Sequence, residues 1–306
     1  MISTFFDKSK PINYLILIVA VFVIALAVAL RFQDWNDLGL DDAFALLGVF
    51  SLCFTIAFLG VTVKTQKLTS DNSYTMFFFS AFLMLMFEVT EMVETLLANL
   101  FLVFSFAKAM ALKSKEKQKE KIFEAALYLF IACFFVPWTL LFLIGLYAAI
   151  AMFCDKRLKL WLMPLAAGFT TLMIALALFT VFADGNSFAR HFEWSFTSDV
   201  FHAPNVILIG FYTLSFLIMA LVFAKLGYRR LGRTLSLRLV AVYFILSVLS
   251  TIFCGEGDSG IYLFSLFPFA IFMANYVENI KKRTLKEMVL IGAIFIPSVT
   301  MIIRFF

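Results

Sequence analysis

The sequence predicts an all-α, polytopic membrane protein of about eleven transmembrane helices, some short or broken, in a single transmembrane domain over 1–306. Three observations predict it. Of the 306 residues 63% are hydrophobic and only 15% are charged, far from the balance of a soluble domain. Apolar runs of span length alternate with short polar connections. The charges also sort by side. With a cytoplasmic N-terminus and an extracytoplasmic C-terminus, only Arg31, Arg190 and Arg304 of the 25 Lys and Arg fall outside, against 12 of the 20 Asp and Glu. Lysine and arginine beside spans are held on the cytoplasmic side, and a wrong span count would scramble this sorting.

The first span covers about 12–30, after a lead with Lys8 and Lys10. Lysines, an apolar run and Ala27-Val28-Ala29 look like a secretory leader, but the run has full span length and reads as a span. An acidic connection with Asp34, Asp37, Asp41 and Asp42 leads to span 2, about 43–63. The turn TQKLTSDNSY leads to span 3, about 74–87, and Glu88, Glu91 and Glu94 precede span 4, about 96–112. The loop that follows carries Lys113, Lys115, Lys117, Lys119 and Lys121 against Glu116 and Glu120, and so orients every other span.

The next apolar run, 122–154, is too long for one span. Unbroken, it would rise about 48 Å at 1.5 Å per residue, against a hydrocarbon core of about 30 Å. Val136-Pro137-Trp138 interrupts it, because proline lacks the amide that a helix needs. It divides into span 5, about 122–135, and span 6, about 138–153, meeting at the outer face with Trp138 suited to the membrane interface. Spans 7 to 11 follow at about 160–182, 206–226, 237–254, 261–276 and 288–303. Spans 3, 5 and 6 are short, and can reach part way only where protein or a water-filled cavity surrounds their ends. The 41 phenylalanines fit lipid-facing helix surfaces better than a cofactor box.

Four cysteines, Cys53, Cys133, Cys154 and Cys254, form no C-x-x-C pair and read as small apolar residues. No P-loop, G-x-S-x-G, H-E-x-x-H or G-x-G-x-x-G is present. Nucleic acid is not an expected partner, since the basic residues lie in short loops that sidedness already explains; membrane lipid is.

Candidate chemistry lies on the outer side. Asp41 and Asp42, just before span 2, are the candidate catalytic pair. Carboxylates there act as general base or hold a divalent cation that neutralises a diphosphate leaving group; no other cofactor is implied. The same aspartates would also serve simply to solvate a loop and start a helix. Glu88, Glu91 and Glu94 recur every three residues, so a helix places them on one face, lining a cavity or forming an interfacial turn. Arg190, His191 and His202 lie in the long outer connection among aromatics. They are candidate substrate-binding groups, Arg190 for phosphate and the histidines as bases, or else parts of an interfacial loop. Glu256 and Asp258 sit in a glycine-rich turn that can approach a ligand or merely connect two spans.

The stretches MISTFFDKSKPIN, KTQKLTSDNSY, ANLFLVFSFAKAMALKSKEKQKEKIFEAALYLFIACFFVPWTLLFLIGLY and FPFAIFMANYVENIKKRTLKEM resemble an uncharacterised family of polytopic inner-membrane proteins of Bacteroidota, a domain of unknown function. The resemblance covers most of the chain and implies a multi-pass protein of the bacterial inner membrane. The central stretch is also similar, more distantly, to the membrane module of GT-C glycosyltransferases. Those place a catalytic acid in the first outer loop, often an acidic pair followed by an aromatic, where Leu40-Asp41-Asp42-Ala43-Phe44 stands here. That likeness implies a transferase taking a polyprenyl-phosphate-linked sugar at the outer face. Two other readings remain open: a non-catalytic subunit of an inner-membrane secretion or envelope-biogenesis complex, partnered by other membrane proteins, and a transporter using the Glu88–Glu94 carboxylates. No internal repeat favours the last.

Overall fold

The computed structural model describes residues 2–32, 40–86, 92–182, 206–226, 231–254 and 260–305. Every regular element among them is helical. They are α1 (Ile2–Phe6), α2 (Pro11–Phe32), α3 (Leu40–Thr65), α4 (Tyr74–Leu83), α5 (Val93–Ala111), α6 (Gln118–Phe135), α7 (Phe142–Phe153), α8 (Leu158–Phe182), α9 (Val206–Leu226), α10 (Leu231–Phe253), α11 (Leu266–Glu278) and α12 (Arg283–Phe305). Tighter 3-10 turns follow α5 (Leu112–Ser114) and precede α7 (Pro137–Leu141) and α11 (Ile261–Ser265).

Helices α2 to α12 fall one for one on the apolar segments read from the sequence. Among the described residues, 8 helices are long and apolar enough to cross a membrane. The protein is therefore multi-spanning, with α4, α6 and α7 outside that set. Helix α4 has only 10 residues and rises about 15 Å, half the thickness of a hydrocarbon core. All of its residues are buried, so its ends meet protein rather than lipid.

Two helices make the centre. Helix α5 packs on α3, α6 and α7 and on the 261–265 turn, while α11 packs on α4, α9 and α10. Burial follows this arrangement: 89% of Ile261–Glu278 is buried, against 17% of Arg283–Ile303 in α12. The phenylalanines divide: Phe50, Phe54, Phe169 and Phe295 are exposed, as expected of lipid-facing surface. Phe78, Phe79, Phe106, Phe142, Phe244 and Phe267 are fully buried in the protein rather than turned to lipid. Phe106 meets Tyr243 at 5.1 Å and Phe267 at 5.2 Å, joining α5, α10 and α11. Lipid is as apolar as a side chain, so helices in a membrane associate by packing, and large flat rings supply it.

The break at Pro137 is present. Helix α6 ends at Phe135, Val136 is extended (φ −135°, ψ 106°), and Pro137 opens the 3-10 turn. Residues before proline favour this extended conformation. The interrupted backbone finds partners. Thr139 Oγ1 donates to the Val136 carbonyl at 2.9 Å, and Cys133 Sγ donates to the Pro137 carbonyl at 3.5 Å. Trp138 packs inside the protein. It is buried and stacks on Phe253 at 6.3 Å, at the end of α10. An irregular backbone is tolerated at membrane depth only when protein surrounds it, and Trp138 helps to form that surround.

At the other end of the pair, Gln118 Nε2 donates to the Phe153 carbonyl at 3.4 Å. The start of α6 thus lies beside the end of α7, and the two form a hairpin. Similar links join the other connections assigned to one side. Lys286 pairs with Asp7 at 2.8 Å, Arg233 with Glu278 at 2.6 Å, and Lys113 donates to Ser236 Oγ at 3.5 Å.

Candidate functional site

The starts of α3 and α5, the end of α6 and the C-terminal half of α8 enclose a cleft of about 610 Å³. Its walls are apolar, with Phe44, Leu97, Ile131, Phe135 and Ile174 among them. This volume and lining are those of a site for an apolar ligand. Phe44 and Ile174 are exposed, so the cleft is open rather than a closed void. Phe135 closes it where α6 stops, so the helix break contributes directly to its wall.

The candidate residues distribute unevenly around it. Asp41 and Asp42 stand in the first turn of α3, within one turn before Phe44; their side chains lie outside the described residues. Glu94 is in the first turn of α5, exposed, and lines the cleft. It is the one carboxylate of that lining among the described residues. Carboxylates are favoured at such a helix N-terminus by the backbone dipole. Glu88, Glu91, Arg190, His191 and His202 lie outside the described residues, as do Glu256 and Asp258. The four cysteines are free, and Cys133 is buried.

The structure also assembles a polar cluster that the candidate residues did not include. Glu278, at the end of α11, accepts from the Ser70 amide at 2.7 Å, Ser70 Oγ at 3.0 Å, Asn72 Nδ2 at 2.6 Å and Arg233 Nη2 at 2.6 Å. Arg233 also donates to Asn275 Oδ1 at 2.6 Å and to the Leu68 carbonyl at 3.2 Å. Asn275 Nδ2 donates to the same carbonyl at 3.2 Å. Beside this, Tyr74 donates to Asp7 at 3.1 Å and to the Ser3 carbonyl at 3.0 Å, while Lys286 lies 4.8 Å over the Tyr74 ring. The hydrogen bond from Lys286 holds the Asp7 carboxyl below its usual range. Ser9 donates to Asp71 across the same seam.

This cluster fastens rather than reacts. Arg233 and Glu278 are largely enclosed, and the carboxylate's acceptor sites are filled by four donors. Such satisfaction is what a buried ion pair requires to be tolerated. One signal could have found it. The stretches 1–13, 64–74 and 267–288 are three of those that carry the family resemblance, and they meet here.

Comparison with curated proteins and with solved structures finds no match. The model of a family of unknown function, DUF6427, matches residues 8–305, nearly the whole chain including the cleft and the polar cluster, and the protein belongs to that family.

Proposed function

We propose that the protein is a membrane transferase of GT-C-like type that takes a polyprenyl-phosphate-linked sugar at the outer face. The apolar chain of the substrate would lie in the α3–α5–α6–α8 cleft, and its phosphate end would reach Asp41 and Asp42. The observation that supports this reading is the position of the cleft: an open apolar cavity begins one helical turn from the acidic pair, with Glu94 on its wall. Apolar walls suit the prenyl chain, and carboxylates at the mouth suit proton removal from an acceptor hydroxyl. A divalent cation at the phosphate end would draw its carboxylate ligands from Asp41 and Asp42, with Glu94 on the cleft wall.

Photolabelling tests the reading. Full-length protein in lipid nanodiscs is irradiated with a benzophenone-bearing polyprenyl phosphate. Label is expected on α3, α5, α6 or α8 lining residues and is expected to fall in Leu97→Trp, which fills the cleft. Label elsewhere, or unchanged in Leu97→Trp, removes the reading. In cells, Asp41→Asn or Asp42→Asn is expected to abolish function at an unchanged protein level. Tolerance of both, with constant co-purification of a larger complex, would point to a non-catalytic subunit. Loss in Glu94→Gln alone would point to a transporter.

A further inference from the structure

A second groove shares no lining residue with the first. Helices α9 and α12 form its walls, and α4 and α11 form its floor, around about 590 Å³. No charged residue lines it among the described residues. Two features distinguish it from ordinary lipid-facing surface.

The first is bare backbone on both walls. A Cβ at Gly210 of α9 or Gly292 of α12 would meet nothing within 4 Å. Other helical glycines behave differently: a Cβ at Gly60 would meet Met76 at 2.5 Å, and one at Gly168 would meet Phe130 at 2.7 Å. Glycine within a helix is unfavourable by about 1 kcal/mol relative to alanine. At Gly60 and Gly168 close packing accounts for that cost, whereas at Gly210 and Gly292 no neighbour in this chain does. Glycine allows a partner to approach the backbone itself.

The second, among the described residues, is a cationic end. Leu221 and Tyr276 line the groove near the lysine-rich face. Lys225 follows one turn after Leu221, exposed, with Nζ 5.3 Å over the Tyr276 ring. Lys281 and Lys282, also exposed, lie just past the end of α11. The nearest carboxylate on α11, Glu278, is already held by Arg233, Ser70 and Asn72. The cationic end is therefore left for an external anion. From Ile207 to Leu221 the α9 wall runs about 21 Å at 1.5 Å per residue, more than the roughly 15 Å depth of one leaflet's hydrocarbon.

We propose that this groove is a binding site for one anionic phospholipid of the leaflet on the lysine-rich side. An acyl chain lies between Gly210 and Gly292, and the phosphate sits at Lys225, with Lys281 and Lys282 adding attraction. Basic residues at the end of a groove between helices select anionic headgroups in this way. A neutral lipid would fill the same apolar space but gain nothing at Lys225.

Native mass spectrometry of the full-length protein, with phosphatidylglycerol or phosphatidylcholine added to the detergent, tests the proposal. Wild type is expected to retain phosphatidylglycerol in preference. Lys225→Gln is expected to weaken that preference about fivefold, as for one cation near a headgroup. Gly292→Leu is expected to lower retention of both lipids by occupying the groove. Gly292 faces open space and Lys225 is exposed, its one ring contact being with Tyr276; a Lys281→Gln, Lys282→Gln double variant, wholly on the exposed surface, is expected to weaken the preference further. Equal retention of the two lipids by wild type, or an unchanged preference in Lys225→Gln, overturns the proposal. So does a wild-type dimer that Gly292→Leu converts to monomer, since a second copy would then fill the groove.

Discussion

Single residues carry the fastening of one face, and two of them make measurable predictions. The Arg233–Glu278 pair is enclosed, with side-chain exposures of 17% and 10%. Removing one partner leaves a desolvated charge, which costs about 3 kcal/mol. Glu278→Ala is therefore expected to lower the unfolding temperature in detergent sharply. The Arg233→Leu, Glu278→Leu double variant is expected to recover part of the loss, because no lone charge remains. A double variant worse than the sum of the singles would count against an ion-pair origin. Asp7 gives a pH signature. Its carboxyl is held below the ordinary 3.8 by Lys286, so its contribution is present above 3.8 and is lost as pH falls through the lowered folded value. Thermal unfolding followed from pH 7 to pH 3 is expected to show this loss in wild type and not in Asp7→Asn. The effect is small, since the Asp7 side chain is 58% exposed and solvent screens it.

Between elements, glycine decides how closely helices approach. Gly60 of α3 lies between Tyr14 of α2, at 2.7 Å from an added Cβ, and Met76 of α4, at 2.5 Å. Gly60→Val is expected to cost about 1–3 kcal/mol by overpacking, read as a lower unfolding temperature. Gly292→Ala is the matched control. Nothing meets its Cβ, so it is expected to be neutral or to stabilise by about 0.4–1 kcal/mol, because alanine narrows the unfolded chain's freedom. Equal losses in both would mean that close approach is not what Gly60 provides. The α6–α7 hairpin shows the same rule from another direction. Its break was legible from Val136-Pro137-Trp138, because proline chemistry is local. The burial of Trp138 against Phe253 was not, because that partner is over a hundred residues away in sequence.

For the whole molecule the remaining test is sidedness. The Lys113–Lys121 loop is expected on the cytoplasmic side and the end of α12 on the other. Reporter fusions at Lys117 and after Phe306 check this, and the same side for both would sink the eleven-span alternation. The connecting hydrogen bonds make the pattern hard to redraw piecemeal. Asp7–Lys286 and Arg233–Glu278 tie the N-terminal segment, the 66–73 turn, the start of α10 and the α11–α12 connection together, and Lys113–Ser236 and Gln118–Phe153 join the α5–α6 connection to the start of α10 and the end of α7.

By itself the sequence determined the class, the run of helices and the break at Pro137. Apolar length, proline and lysine sorting are properties of adjacent residues, and the membrane reads them one segment at a time. It also marked Asp41 and Asp42 as residues worth testing, by their place before an apolar span. Tertiary structure alone decided that α4 and α11 lie inside while α12 and α8 face outward: α11, the most buried span, has a mean hydropathy of 1.4, against 1.8 for α12 and 2.0 for α8. Hydropathy cannot separate them, because lipid and protein interior are equally good solvents for a phenylalanine. It alone decided, too, that Leu68, Ser70, Asn72, Arg233, Asn275 and Glu278 form one cluster. Leu68 contributes only its carbonyl and the others are ordinary polar residues, and the partners that complete the cluster come from chain far away.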